Sequence, residues 1–276
     1  MDLRAALQQG SELLEGAGTP APRLTAEVLL CHAVRRERVF LYSHPEHELT
    51  TVEWIHYGRY LHERMQGKPT QYITRVQEWY GRKFRVTPAV LIPRPETEHV
   101  VEHALEAARG ASTVLDIGTG SGALAVTLAL ELGARAVATD LSLEALGVAR
   151  GNARALGAAV EFVCCDLADG LSGRFDLIVS NPPYIPEHEI PALQREVRDF
   201  EPHLALLGGR TGTELYGRIV TQAQALLRPG GWLIFEIGYQ GEAGVREAFA
   251  GGPWAEVATG CDLAGLPRVL RARYAP

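Results

Sequence analysis

Val114-Leu115-Asp116-Ile117-Gly118-Thr119-Gly120-Ser121-Gly122 runs from an apolar segment into three spaced glycines, and Ala123 onward is rich in helix-forming residues. A short apolar run of this kind reads as a buried parallel strand. Glycines let the backbone approach a ligand closely and adopt φ > 0. Strand, glycine turn and helix in that order open a doubly wound α/β sheet. The turn by itself leaves its ligand undecided, because Gly118-x-Gly120-x-x-Ala123 also satisfies the looser dinucleotide fingerprint.

Outward from this stretch, strand and helix alternate from about residue 97 on. Apolar runs predict strands at 113–117, 135–139, 160–165, 175–180, 231–237, 254–260 and 268–274. Helices are predicted near 97–109, 122–132, 142–156, 212–227 and 242–249. The expected fold is α/β, with a seven-stranded, mostly parallel sheet. Only Asp262 to Pro267 separates the final two strands, so the last strand is expected to be antiparallel.

Residues 1–75 read as a small helical domain. Leu3, Leu7, Leu13 and Leu14 form one apolar stripe, and Leu24, Val28, Leu29 and Ala33 another. Thr50 and Glu53 make a capping box ahead of Ile55, Leu61 and Met65. Residues 76–96 read as a connector. Val76, Glu78 and Tyr80 alternate with Gln77 and Trp79, and Gly81 precedes a second short strand, which predicts a β-hairpin. Pro93 and Pro95 then stiffen the approach to the α/β domain, residues 97–276.

The chain has 276 residues, 46% of them hydrophobic, and a net charge of −6. Residues 1–75 balance nine acidic against nine basic side chains, so the whole deficit falls on the remainder. A duplex-binding surface should be basic, so no direct nucleic-acid partner is expected. The cysteines at 31, 164, 165 and 261 form no CxxC pair and no zinc spacing. Cys164 and Cys165 read as core residues on opposite faces of a strand. The start at Asp2-Leu3-Arg4 does not look like a signal peptide, and no apolar run approaches a membrane span. A monomer in a reducing cytoplasm is expected.

Ligands of an open α/β sheet gather at the carboxyl ends of its strands. Asp140 ends the second predicted strand, where a carboxylate can accept from both hydroxyls of a ribose. Asp166 ends the third, within reach of an adenine edge, with Leu167 against the ring. A nucleoside cofactor follows, either NAD or S-adenosylmethionine. The fourth strand, 175–180, opens into Asn181-Pro182-Pro183-Tyr184. A dehydrogenase would need a proton-exchanging His, Lys or Tyr there. This strand end offers instead an amide that can both accept and donate, two rigid carbonyls and a flat ring. Such a set suits a planar NH2 nucleophile and so favours S-adenosylmethionine.

On these residues the chain resembles the class I S-adenosylmethionine-dependent methyltransferases. More closely, it is similar to the PrmC/HemK family, the glutamine N5-methyltransferases of peptide-chain release factors. The resemblance covers nearly the whole chain: the helical domain, Leu91-Ile-Pro-Arg-Pro-Glu-Thr-Glu98, Leu115-Asp-Ile-Gly-Thr-Gly-Ser-Gly122 and Asn181-Pro-Pro-Tyr-Ile185. It continues through Glu201-Pro202, Ala205-Leu206, Glu236-Ile-Gly238 and Gln240. Asn-Pro-Pro-Tyr alone is shared with adenine-N6 DNA methyltransferases. The chain departs from the family at Arg75, where a glycine is usual, at Trp79, where phenylalanine is usual, and at Thr211-Gly212-Thr213, where Asp-Gly-Leu is usual.

The resemblance implies that Gly118, Thr119, Gly120, Ser121 and Gly122 wrap the methionine part of S-adenosylmethionine, that Asp140 holds the ribose, and that Asp166 and Leu167 hold the adenine. Asn181 would also border the cofactor. Asn181 and the Pro182 carbonyl would each accept from the glutamine NH2, with Pro183 and Tyr184 completing the substrate pocket. The helical domain and the connector would help dock a class I release factor, whose accepting glutamine lies in a Gly-Gly-Gln motif. The product would be S-adenosylhomocysteine, and no metal is expected. The rival readings are an amino methyltransferase acting on a nucleobase or on a ribosomal-protein glutamine, and a cofactor-binding or ribosome-associated module without catalysis.

Overall fold

A computed structural model describes residues 1–238 and 240–276. The chain divides into two compact units. One comprises Met1–Val76 with Gln194–Phe200, and the other Gln77–Leu193 with Glu201–Pro276.

The first unit is helical: α1 (Leu3–Gly16), α2 (Pro22–Val34), α3 (Arg38–Ser43), α4 (Thr51–Met65) and α5 (Thr70–Thr74). The Asp2 carboxylate caps α1 by accepting from the Ala5 N–H at 2.8 Å. Pro22 occupies the first turn of α2, where its missing N–H costs nothing. Thr50 and Glu53 form the reciprocal capping box at the start of α4. Leu3, Leu7, Leu14, Leu29, Leu30, Tyr57 and Leu61 share one core. Leu13, Leu24, Val28 and Ile55, expected to face it, are exposed instead. The short helices enclose a narrow core, and the flanks of each predicted stripe fall outside it.

The second unit begins at the second residue of a hairpin, β1 (Val76–Trp79) and β2 (Arg82–Arg85). Tyr80 and Gly81 turn it with φ of 46° and 68°. Positive φ at both central residues gives the twist that two antiparallel strands require. A 3-10 turn over Pro95–Thr97 leads into α6 (Glu98–Ala107). The order then runs β3 (Thr113–Ile117), α7 (Ala123–Leu132), β4 (Arg135–Asp140), α8 (Leu143–Leu156), β5 (Val160–Cys164) and β6 (Phe175–Ser180). After α9 (Arg195–Phe200), which belongs to the first unit, come α10 (Glu214–Leu226), β7 (Leu227–Glu236), α11 (Glu242–Glu247), β8 (Trp254–Cys261) and β9 (Pro267–Tyr274).

The seven strands β3–β9 form one sheet in the order β5-β4-β3-β6-β7-β9-β8. Every pairing is parallel except those of β9, which runs antiparallel to both neighbours. Both faces of the sheet are covered. Val114, Leu177, Val179 and Ile234 pack on one side with residues of α6 and α7. Leu115, Ile117, Ile178, Leu233 and Phe235 pack on the other with residues of α10 and α11. The period-2 alternation of strand side chains delivers one set to each face.

The sheet order corrects the reading of the vicinal cysteines. β5 is an edge strand, Cys164 at its end is exposed, and Cys165 lies just beyond it, half-buried. An edge strand has a neighbour on one side only, so its last residues escape the core.

Candidate active site

The chain builds one side of the sheet outward from β3 through β4 to β5, then returns to β6 on the opposite side of β3. Such a reversal of strand order leaves a crevice outside the carboxyl ends of the two central strands. Ile117 pairs with Ser180 and with Thr139, while Ser180 also pairs with Phe235. The next residue along each strand therefore lies in one row: Asp140, Gly118, Asn181 and Glu236. Adjacent strands are spaced about 4.8 Å apart. The glycine turn and the Asn-Pro-Pro-Tyr segment thus start side by side.

The glycine turn presents backbone. Gly118, Gly120 and Gly122 have φ of 74°, 55° and 84°. A Cβ on Gly122 would lie 3.1 Å from the Ala149 Cβ, so this glycine lets α8 approach closely. The two side chains of the turn point inward. The Thr119 hydroxyl donates to Asp116 Oδ2 at 2.6 Å, and Ser121 is buried. Asp116 also accepts from the Ala125 N–H, and burial pushes its pKa up to about 7. Asn152 braces the turn from behind by donating to the Ser121 carbonyl at 2.8 Å and to the Arg85 carbonyl at 3.0 Å.

Asp140 reaches across to this turn. Its Oδ2 accepts from the Gly120 N–H at 2.9 Å and its Oδ1 from the Ser142 N–H at 2.8 Å. A carboxylate has about four lone-pair sites, so two backbone donors leave capacity for a diol. The space in front of Gly118 and Gly120 is open, with no atom within 4 Å of where a Cβ would project. An open glycine cradle with a fixed carboxylate beside it fits a nucleoside bearing an amino-acid tail.

Asp166 is placed differently from the sequence expectation. β5 ends at Cys164, so Asp166 lies two residues beyond the strand, is exposed, and pairs with Arg218 at 2.7 Å. Leu167 follows with φ of 53° and packs against the core on the α10 side.

The Asn-Pro-Pro-Tyr segment is bonded at both ends. Asn181 Nδ2 donates to the Thr97 hydroxyl at 3.0 Å. Thr97 in turn donates to Glu236 Oε2 at 2.5 Å. The Tyr184 hydroxyl donates to Glu236 Oε1 at 3.1 Å. Glu236 is buried, and burial raises its pKa. Burial, and then the nearby Glu236, push the Tyr184 phenol well above its ordinary value. A neutral phenol remains a donor at any working pH.

The loop after α9 cradles the same segment. The Ile185 N–H donates to the Leu206 carbonyl, Gly208 N–H to the Ile185 carbonyl, and Glu187 N–H to the Gly209 carbonyl. A Cβ on Gly212 would lie 2.4 Å from the Tyr184 carbonyl oxygen, at a residue whose φ is 83°. Glycine is required there twice over, for space and for backbone conformation.

Sequence reasoning missed Thr97, Asn152, Glu236 and the Gly208–Gly212 loop as parts of the site. Glu236 carried a usable signal, a carboxylate ending an apolar strand on the ligand edge. Thr97 carried none, since nothing local ties it to positions 181 and 236. Among the described residues no His, Cys, Asp and Glu set could hold a metal ion. Among the described residues no helix is long and apolar enough to cross a membrane.

Comparison with known proteins agrees with this architecture. The PrmC N-terminal domain model matches residues 5–74, and the methyltransferase small domain model matches residues 97–205. Among solved structures, a methyltransferase from Pyrococcus furiosus superposes with a TM-score of 0.56 at 20% identity, over 71% of this chain and 91% of that one. The human Mettl16 catalytic domain superposes with a TM-score of 0.59 at 17% identity, over 75% and 81%. Both likenesses concern the fold. A release factor glutamine methyltransferase from Koribacter versatilis is 47% identical over 278 residues, 99% of either chain. One from Chlorobaculum tepidum is 48% identical over 264 residues, covering 90% of this chain and 89% of its own. With an open glycine turn and Asn181 starting on adjacent strand ends, and near-full-length identity of this order, the chain belongs to the release factor glutamine methyltransferase family.

Proposed function

We propose that this enzyme transfers a methyl group from S-adenosylmethionine to the side-chain nitrogen, N5, of the glutamine in the Gly-Gly-Gln motif of a class I release factor. S-adenosylhomocysteine is the second product. The observation that carries the reading is the pairing of Ile117 with Ser180, which starts the glycine turn and Asn181 on neighbouring strands.

The residues divide the work. Backbone of Gly118 to Gly122 holds the methionine part of the cofactor, Asp140 the ribose, and Asp166 with Leu167 the adenine side. Bound S-adenosylmethionine supplies an electrophilic methyl on a sulfonium. The acceptor amide is a poor nucleophile, because its lone pair is delocalised into the carbonyl. Asn181 Oδ1 and the Pro182 carbonyl each accept one hydrogen of the NH2, raising electron density on nitrogen and aiming it at the methyl carbon. Pro183 keeps the turn rigid, and Tyr184 forms the wall of the pocket. Positioning of this kind contributes up to about 7–11 kcal/mol in well-oriented systems. The new N–C bond forms as the C–S bond breaks, and the proton leaves to water afterwards, so no strong base is needed. The helical unit serves release-factor docking.

The test is label transfer from S-adenosylmethionine to a release factor, to its Gln-substituted variant and to DNA, assayed separately. Label on the intact factor alone is expected, and label on DNA would replace this reading with the nucleobase one. Asn181→Ala is expected to lower turnover by on the order of 10²–10³-fold, a loss typical of removing one group from a preorganised site. Calorimetric affinity for S-adenosylmethionine should change far less.

A further inference from the structure

We propose that Thr97 and Glu236 are positioning residues that fix the polarity of the Asn181 amide, so that its oxygen rather than its nitrogen faces the substrate. This rests on Asn181 acting as the acceptor for the glutamine NH2.

A primary amide has two ends of nearly equal size, one accepting and one donating. Rotation by 180° exchanges them. An Asn181 with Nδ2 outward would present hydrogens to the hydrogens of the substrate amide, and the site would repel what it must hold. Something has to select one rotamer.

The hydrogen-bond chain makes that selection by counting protons. Thr97 has one hydroxyl proton. Its oxygen lies 2.5 Å from Glu236 Oε2, a separation typical of a hydroxyl donating to a carboxylate. With the proton committed there, Thr97 Oγ1 can only accept from Asn181. Only the Nδ2 end of the amide can donate, and it lies 3.0 Å away. Oδ1 is therefore the free end. The other Glu236 oxygen accepts from Tyr184, so each oxygen holds a hydroxyl donor, and these two donors oppose the effect of burial and favour the accepting carboxylate.

The chain is held rigidly. Glu236 and Thr97 are 1% and 5% exposed. The Tyr216 hydroxyl donates to the Glu236 carbonyl at 3.0 Å, fixing the end of β7. The Thr97 N–H donates to the Arg94 carbonyl, which also accepts from Trp79 Nε1 at 2.7 Å. One buried carboxylate thus anchors both ends of the Asn-Pro-Pro-Tyr turn, Asn181 through Thr97 and Tyr184 directly. The Ile-Pro-Arg-Pro-Glu-Thr-Glu segment contributes to the chemistry through Thr97 and is more than a connector.

The experiment is steady-state methylation of release factor by Thr97→Val, which keeps the shape and deletes the hydroxyl. Its kcat is expected to fall roughly 10- to 100-fold, the consequence of losing one buried hydrogen bond that sets orientation. KM and calorimetric affinity for S-adenosylmethionine should stay within about threefold of wild type, on the view that the loss is felt mainly in the transition state. Thr97→Ser should recover most of kcat. In an Asn181→Ala background, followed by single-turnover label transfer, Thr97→Val should add no further loss. Thr97→Ala, which cannot overpack, repeats the measurement should the valine variant fold poorly. A Thr97→Val kcat within twofold of wild type would overturn the proposal, as would an undiminished loss in the Asn181→Ala background or a failure of Thr97→Ser to rescue. Wild-type enzyme that labels no release factor would overturn the functional reading itself, which separates the two failures.

Discussion

Asp116 shows how much a single position carries in this fold. It ends no strand and faces no solvent, yet it is a carboxylate with no surface exposure. Its Oδ2 has two donors, while Oδ1 has no partner among the described residues. Burial raises its pKa from an ordinary 3.8 to about 7. A carboxyl raised on folding binds its proton more tightly in the folded state. Its contribution to stability is therefore full below about pH 4 and is lost as pH rises to about 7. The loss amounts to on the order of 4 kcal/mol. Wild type should lose stability relative to Asp116→Asn from about pH 4 to about pH 8, measured as urea midpoints of both proteins, with no further divergence above that. A difference that stays flat with pH would refute it. Arg75 carries a different constraint. It caps α5 with φ of 61°, a conformation that costs an L side chain and suits glycine. A glycine at this position would adopt the same conformation without that cost, a reason the sequence alone does not show.

At the level of elements, local patterns were read well where they are periodic or capped. All seven strands of the sheet were placed within a few residues, and the Thr50–Glu53 box begins α4 where expected. The longest error is β7, which starts at Leu227, because Pro229 and two glycines masked the strand before Trp232. No periodicity predicts an element from Glu187 to Ala205, yet the segment forms two 3-10 turns and α9. Those turns are too short for a period to register. In the loop from Gly208 to Thr213, the sequence signals only the departure at Thr211-Gly212-Thr213. Its Thr211 and Thr213 N–H groups both donate to Glu214, whose pKa drops to about 2 chiefly through the Thr211 N–H. This hydrogen-bonded turn sets Gly212 against the Tyr184 carbonyl. Gly212→Ala is expected to destabilise by about 1–3 kcal/mol and to lower turnover beyond what the melting shift explains. Thermal melts together with methyl-transfer rates check this, and unchanged turnover would show that the loop does not hold the turn.

Across the whole molecule, every residue of the candidate site lies in the second unit, Gln77–Leu193 with Glu201–Pro276. A chain beginning at Gln77 should therefore bind S-adenosylmethionine with near-wild-type affinity by calorimetry while losing most release-factor methylation. Loss of cofactor binding would show that the helical unit is needed for the site itself. What the sequence by itself determined is the strands and longer helices of the sheet, their order, and the residues at or just past the strand ends: Gly118, Asp140 and Asn181. These follow from alternation, glycine and proline, which act over a few residues. Only the tertiary structure decided which strand ends are neighbours, why Cys164 is exposed, and that Asn181, Thr97 and Glu236 join in one hydrogen-bond chain. The bonds that join these three span 84 and 139 residues of chain. Contacts of that separation depend on the strand order of the sheet, which is set by how its two apolar faces are covered and leaves no local pattern to read.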